Sequence, residues 1–169
     1  MIKSLGDYLG RRLETTAELE TCDAIAHSSS VVLKIQETDQ MTILTTKQMI
    51  SLVEDSYFYN VDNKNLDATL KCFAEDAELT VQTAHVTHRG HDEIRRMFGD
   101  FMRETPVIYH GDYSHVTDID DQVIASQFLA RNNLADGSEV SMRNCNFFVL
   151  REGLFAKVTI YMSGENPLV

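Results

Sequence analysis

The residues of this chain that could carry chemistry are few and scattered. Tyr57 follows Ile50 and Val53 at helical spacing. A phenol there is either an ordinary core tyrosine or a neutral hydrogen-bond donor inside an apolar cavity, where such a bond strengthens as charge develops on its acceptor. Asp62 falls five residues later, where the helical pattern halts, and its simplest role is the N-cap of the next helix. His110 opens the polar run His110–Gly111–Asp112–Tyr113–Ser114–His115 inside a segment that otherwise reads as a half-buried strand. Imidazole titrates in a range suited to moving protons. Strand alternation puts Asp112 and Ser114 on the face of His110, so His110 and Asp112 could form a charged pair. The other reading is a solvated strand end.

Arg131, Arg143, Asn144 and Asn146 interrupt strands that are otherwise apolar. Arg143 shares a face with Cys145 and Phe147, and Asn144 and Asn146 share the opposite face with Phe148. One set lines an interior and the other an interface, and the sequence leaves open which. An inward Asn or Arg would anchor a carbonyl or carboxylate. His85, His88 and His91 recur every three residues, but no acid or Cys completes a ligand set at a recognisable spacing. They read as surface histidines, and no metal is expected. Cys22, Cys72 and Cys145 are odd in number and widely spaced, which reads as buried reduced thiols of a cytosolic protein.

The elements that must position these residues are legible from period and punctuation. Thr45–Thr46–Lys47–Gln48 fits a capping box at the start of a first helix. A second helix is expected to carry Leu66, Leu70, Phe73 and Ala77 on one face, with a short strand from Leu79. Gly90 precedes a third helix with the stripe Ile94, Met97, Phe98, Phe101 and Met102. After Pro106 the period changes to two. Strands are expected over 107–118, 123–133, 140–150 and 154–163, with turns at Asp120–Asp121, Ala135–Ser138 and Arg151–Gly153. Helices followed by strands give an α+β domain, its helices packed on one face of an antiparallel sheet. The other face is also apolar and is expected to meet a second copy, giving a homodimer through the sheet. Residues 1–45 read as an N-terminal extension, with a possible helix over 5–26 and a possible hairpin from 31–35 and 41–44. The domain itself is 46–169.

Composition removes whole classes of function. The 169 residues hold 15 Lys and Arg against 26 Asp and Glu, a net charge of −11. An acidic chain repels phosphate backbones and anionic membrane, so neither nucleic acid nor membrane is an expected partner. No segment approaches the roughly 20 apolar residues needed to span a bilayer, and no signal-peptide pattern opens the chain. A cytoplasmic location is expected.

The order of elements, two helices, a strand, a third helix and four long antiparallel strands, resembles the nuclear transport factor 2-like fold. It resembles in particular the SnoaL-like and ketosteroid-isomerase-like branch. Two local motifs carry the resemblance: Phe73–Ala74–Glu75–Asp76–Ala77–Glu78–Leu79 after the second helix, and His88–Arg89–Gly90–His91–Asp92–Glu93–Ile94–Arg95 into the third. The resemblance spans about 46–163 and implies a cone in which a curved sheet wraps three helices around a pocket. It further implies small-molecule chemistry without a cofactor: dehydration, isomerisation or cyclisation of a largely apolar carbonyl compound. In that reading His110 moves the proton, Asp62 or Asp112 orients it, and Tyr57 binds the oxyanion. Asp112, Arg143, Asn144 and Asn146 would bind substrate. Two departures favour a rival, a non-catalytic binding or oligomerising module. The isomerase's catalytic base falls on Val81, and the dehydratase-type acid of the second long strand falls near Ala130 and Arg131.

Overall fold

The computed structural model describes residues 42–134 and 136–164. The expected segments over 5–26 and 31–35 lie outside them, as does Met41. Thr42–Thr45 run without regular structure, and the Leu44 backbone is held on both sides by the Gln122 amide.

Helix α1 (Thr46–Ser51) starts with the expected capping box, in which the Thr45 hydroxyl accepts from Gln48 N and the Gln48 side chain accepts from Thr45 N. A π-helical segment (Leu52–Phe58) continues it, then α2 (Tyr59–Asp62). The wide π turn, with Tyr59 N donating to Glu54 O, turns both Tyr57 and Phe58 into the core. Helix α3 (Leu66–Leu70) is capped by Asn65, whose side chain accepts from Ala68 N. Asp62 is therefore not the cap of this helix.

Helix α3 also ends earlier than its pattern suggests. Residues Phe73–Val81 form strand β1, not the end of a helix through Ala77. Phe73, Ala77, Leu79 and Val81 are buried in either geometry, so the apolar spacing could not distinguish them. Partnership decides it: β1 lies parallel to β6 (Leu154–Tyr161) and antiparallel to β2 (Val86–Arg89).

Gly90 takes φ +69° and opens α4 (Gly90–Glu104), and the five stripe residues from Ile94 to Met102 are all buried. Strands β3 (Val107–Asp118), β4 (Val123–Asn133) and β5 (Glu139–Arg151) complete a mixed, curved six-stranded sheet of order β2-β1-β6-β5-β4-β3. The β5–β6 hairpin turns on Glu152 and Gly153, both at positive φ, as a two-residue turn of matching twist requires. The helices cover one face of the sheet. No helix of the described residues is long and apolar enough to cross a membrane.

A bulge in β3 decides which side chains reach the interior. The β3–β4 register shifts between Gly111 and Ser114, and Asp112 lies at φ +52°. Up to the bulge the inward residues are Ile108 and His110; beyond it they are Tyr113, His115 and Thr117. The expectation that Asp112 and Ser114 share the face of His110 is overturned, because one extra residue inverts the alternation.

Candidate active site

The first helix runs across β3, and its last turn brings Asp62 to the inner face of that strand. Asp62 Oδ1 lies 2.5 Å from His110 Nδ1, and Asp62 Oδ2 accepts from His110 N at 2.9 Å. One carboxylate thus holds both backbone and ring of the same histidine. A carboxylate only accepts, so Nδ1 carries a proton, and in the neutral imidazole the lone pair is on Nε2. Nε2 has no bonding partner among the described residues. The His110 side chain is 10% exposed, packed against Phe58 at 4.5 Å and Phe128 at 5.3 Å between ring centres.

His110 borders a small, partly open cavity of about 30 Å³. Its walls are mostly aromatic and aliphatic, with Tyr57, Phe58, Phe98, Phe101 and Phe128 among them. Tyr57 enters from the π-helical segment amid five phenylalanine rings whose centres lie 4.7–6.1 Å away. Burial, reinforced by the neighbouring Cys72, Asp62 and Tyr113, pushes its phenol far above the ordinary tyrosine range. The hydroxyl is thus a neutral donor at any physiological pH.

The two strand faces left open by the sequence are now assigned. Asn144 and Asn146 line the pocket, joined by Asn132 of β4. Asn144 Oδ1 accepts from Ser163 N at 3.1 Å. Asn132 and Asn146 are 3% and 2% exposed, and among the described residues their Oδ1 atoms have no hydrogen-bond partner. A buried acceptor left in that state costs about 1–3 kcal/mol. Asn132 was legible as an inward residue of β4 from alternation, but an Asn next to Asn133 near a turn gave no sign of lining a cavity.

Asp112 and Arg143 lie on the opposite face. Their side chains, 63% and 54% exposed, pair with each other at 3.2 Å and do not border the pocket. Both are corrected from substrate-binding candidates to a surface ion pair, of the kind worth at most about 1 kcal/mol. Arg131 is exposed as well. Val81 is fully buried away from the pocket, and Ala130 lines it, paired with His110 across the β3–β4 ladder.

The remaining candidates are spent elsewhere. His91 Nε2 donates to Phe73 O at 3.0 Å, and His85 sits in a turn at φ +57°. Among the described residues no three His, Cys, Asp or Glu gather as a metal site. Cys72 is buried, its thiol pushed up to about 11, whereas Cys145 is partly exposed. Pattern reading missed a second histidine–carboxylate pair: His115 Nε2 lies 2.6 Å from Glu54 Oε1, and its Nδ1 lies 2.8 Å from Ser126 Oγ.

A family model for the SnoaL-like domain matches residues 55–158, which contain every pocket residue named above. No curated protein sequence matches the chain. Among solved structures, the fold is similar to that of a protein from Xanthomonas campestris pv. campestris assigned as a polyketide cyclase. Identity is 16% and TM-score 0.62, over 68% of this chain and 90% of that one. It is also similar to the epoxide hydrolase/cyclase-like enzyme SalBIII of pyran ring formation in salinomycin, at 19% identity and TM-score 0.59, covering 69% and 92%. A protein of Catenulispora acidiphila with a ketosteroid isomerase-like fold, in complex with trimethylamine, has 10% identity and TM-score 0.60, covering 69% of this chain and 86% of that one. At these identities the likeness is one of fold, and chemistry must be argued from the site.

Proposed function

The chain belongs to the SnoaL-like family, and from that premise we propose that it is a small-molecule enzyme working by general acid–base catalysis without a cofactor. The substrate is a neutral carbonyl compound, and the reaction is a dehydration, isomerisation or cyclisation. The observation that carries this reading is His110: an imidazole oriented at Nδ1 by Asp62, with its basic Nε2 unengaged at the edge of an aromatic pocket.

The chemistry follows from those atoms. Nε2 takes the proton next to the substrate carbonyl, and the electron pair of that C–H bond moves onto the carbonyl oxygen. The Tyr57 hydroxyl stabilises the enolate formed, a bond stronger in the transition state than in the ground state. Asp62 stabilises the imidazolium through Nδ1–H. For isomerisation the proton is returned to another carbon; for cyclisation the enolate carbon attacks a second carbonyl of the substrate, forming the ring bond, and the proton goes to the alkoxide produced; for dehydration it goes to a β-hydroxyl, which departs as water as the enolate pair forms the new double bond. The chain itself supplies base, orienting acid and oxyanion donor, so the proposed step needs no redox partner.

A thermal-shift screen over aromatic polyketides, steroids and hydroxy acids finds the substrate class, and His110→Ala then tests the role. General acid–base contributions of about 10²–10⁴ predict a loss of that size. Unchanged turnover would sink the proposal. One observation favours the rival, a binding module: Ala130 stands in the pocket near the position where dehydratase-like members have an acid. That module binds the same ligands and turns none over. The exposed Phe147, Val149 and Tyr161 support pairing of the sheet's outer face with a second copy, which light scattering of the purified chain tests.

A further inference from the structure

We propose that His115, Ser126 and Asn146 form a proton-driven switch, in which a proton taken up by His115 turns the Ser126 hydroxyl round to engage the Asn146 amide on the cavity wall. The device is separate from the chemistry of His110 and makes one wall of the cavity responsive to pH. Strand register carries it. His115, Ser126 and Asn146 stand directly opposite one another on β3, β4 and β5, on the inner face of the sheet. Side chains so placed have Cβ atoms about 4.5–5.5 Å apart. Along β4 the inward neighbours of Ser126 are Ile124 and Phe128, both buried and apolar. Across the sheet its hydroxyl therefore has His115 on one side and Asn146 on the other.

The two states differ by one proton. Glu54 Oε1 lies 2.6 Å from His115 Nε2, and a carboxylate only accepts, so Nε2 holds a proton. In the neutral ring the Nδ1 lone pair faces Ser126 Oγ at 2.8 Å, and the hydroxyl donates to it. Ser126 is fully buried, so its proton has no solvent to turn to, and Asn146 Oδ1 is left without a donor among the described residues. In the charged ring Nδ1 donates to Ser126 Oγ instead. The hydroxyl proton is then free to turn to the acceptor opposite, and the soft χ2 torsion of Asn146 brings Oδ1 to meet it. Only hydrogen bonds are exchanged. The proton enters at His115, and the Glu54 carboxylate balances its charge.

The surroundings suit such a device. Glu54 comes from the π-helical segment with its side chain 33% exposed, which puts the pair in reach of water, while the His115 side chain is 9% exposed. Tyr113, on the strand of His115, stacks on the ring at 5.8 Å. Burial, with Asp62, Glu54 and Tyr109 nearby, holds its phenol above the ordinary tyrosine range, so it stays neutral. From β4 and β5 the row offers Ser126 and Asn146, neither of which titrates. Asn146 borders the cavity, so its amide carries the change of state to the cavity wall. Asn144 is the internal control: it sits two residues away on the same face, but its Oδ1 is already engaged by Ser163 N.

The test is NMR of the full, ligand-free chain, following the ring nitrogens of His115 and the side-chain amides of Asn144 and Asn146 from about pH 8 to pH 5, where imidazole titrates. In the neutral ring the proton is expected on Nε2. The Asn146 amide is expected to shift with the same midpoint as His115, and the Asn144 amide to stay in place. Ser126→Ala is expected to abolish the Asn146 response while His115 still titrates. His115→Gln, which keeps a polar head and takes up no proton, is expected to abolish it as well. A His115 that stays in one state over the range, a neutral ring protonated on Nδ1, an Asn146 amide that does not follow His115, or a response that survives Ser126→Ala would overturn the proposal. If Ser126→Ala does not fold, survival of the response in His115→Gln has the same force. None of these readouts involves a ligand or turnover, so failure here and failure of the His110 mechanism are separable.

Discussion

Strand β3 presents two histidines to the first helix, and each meets a carboxylate from it: His110 with Asp62, and His115 with Glu54. The residue types are matched, and their side chains are similarly buried. They differ in what the second ring nitrogen does. In His115 both nitrogens are engaged: Nε2–H donates to Glu54, and the remaining lone pair on Nδ1 suits the hydroxyl of Ser126, which is fully buried. Tyr113 stacks on the ring at 5.8 Å. Nothing is left over for a ligand. In His110 only Nδ1 is engaged, and Nε2 remains at the pocket. A histidine–carboxylate pair is thus a strut or a base according to whether its far nitrogen is already satisfied, and the pair alone does not say which.

That contrast can be broken or sharpened by experiment. The largest effect is expected for His110→Ala, which should lower kcat/KM by about 10²–10⁴, against a change below threefold for His115→Ala under the same assay. Comparable losses in both would erase the distinction drawn here. Next, Tyr57→Phe should cost about 10²–10³ in kcat, the scale of one oxyanion donor. Its Tm should hold, because the hydroxyl has no hydrogen-bond partner to lose among the described residues.

In urea unfolding the ranking inverts. A double-mutant cycle of Glu54→Ala with His115→Ala should give a coupling of about 0.5–3 kcal/mol in stability, and the Asp62–His110 cycle should show its coupling chiefly in kcat. A stability coupling near zero for Glu54 and His115 would refute the strut.

A smaller effect is expected from alkali. The Cys72 thiol is raised by burial from 9.0 to about 11. Between those values the unfolded chain has released this proton and the folded chain has not. The contribution is therefore whole below about pH 9 and is lost as pH climbs through 11, at a slope of at most about 1.4 kcal/mol per pH unit. Urea midpoints at pH 8, 9.5 and 10.5 measure it, and Cys72→Ala should flatten the curve. Least of all, Arg143→Ala should leave turnover unchanged and move stability by less than about 1 kcal/mol, as its ion pair with Asp112 is solvated.

Local chemistry was legible wherever the local chain decides conformation. The Thr45–Gln48 box, the α4 stripe, Gly90 and the alternation of β4 and β5 depend on neighbours within about eight residues, and all appear as read. Even the split of β5 into an Arg143 face and an Asn face was readable from period two. Which face points inward was not, because that depends on where α4 and the first helix come to rest.

The sequence by itself determined an acidic α+β chain with a family-like order of elements, and it singled out Tyr57, Asp62, His110, Asp112, Arg143, Asn144 and Asn146 without choosing between the two faces of β5. Tertiary structure alone decided the rest. Pairing with β6 drew Phe73–Ala77 out of a helix and into one strand with Leu79–Val81, because a spacing of buried residues that fits both periods yields to ladder hydrogen bonds. The bulge at Gly111–Ser114 sent Asp112 to the surface and brought His115 inside, because one inserted residue reverses every side chain beyond it. Burial without a partner, which marks Asn132 and Asn146, is a property of the surroundings of an atom and is written in no single stretch of chain.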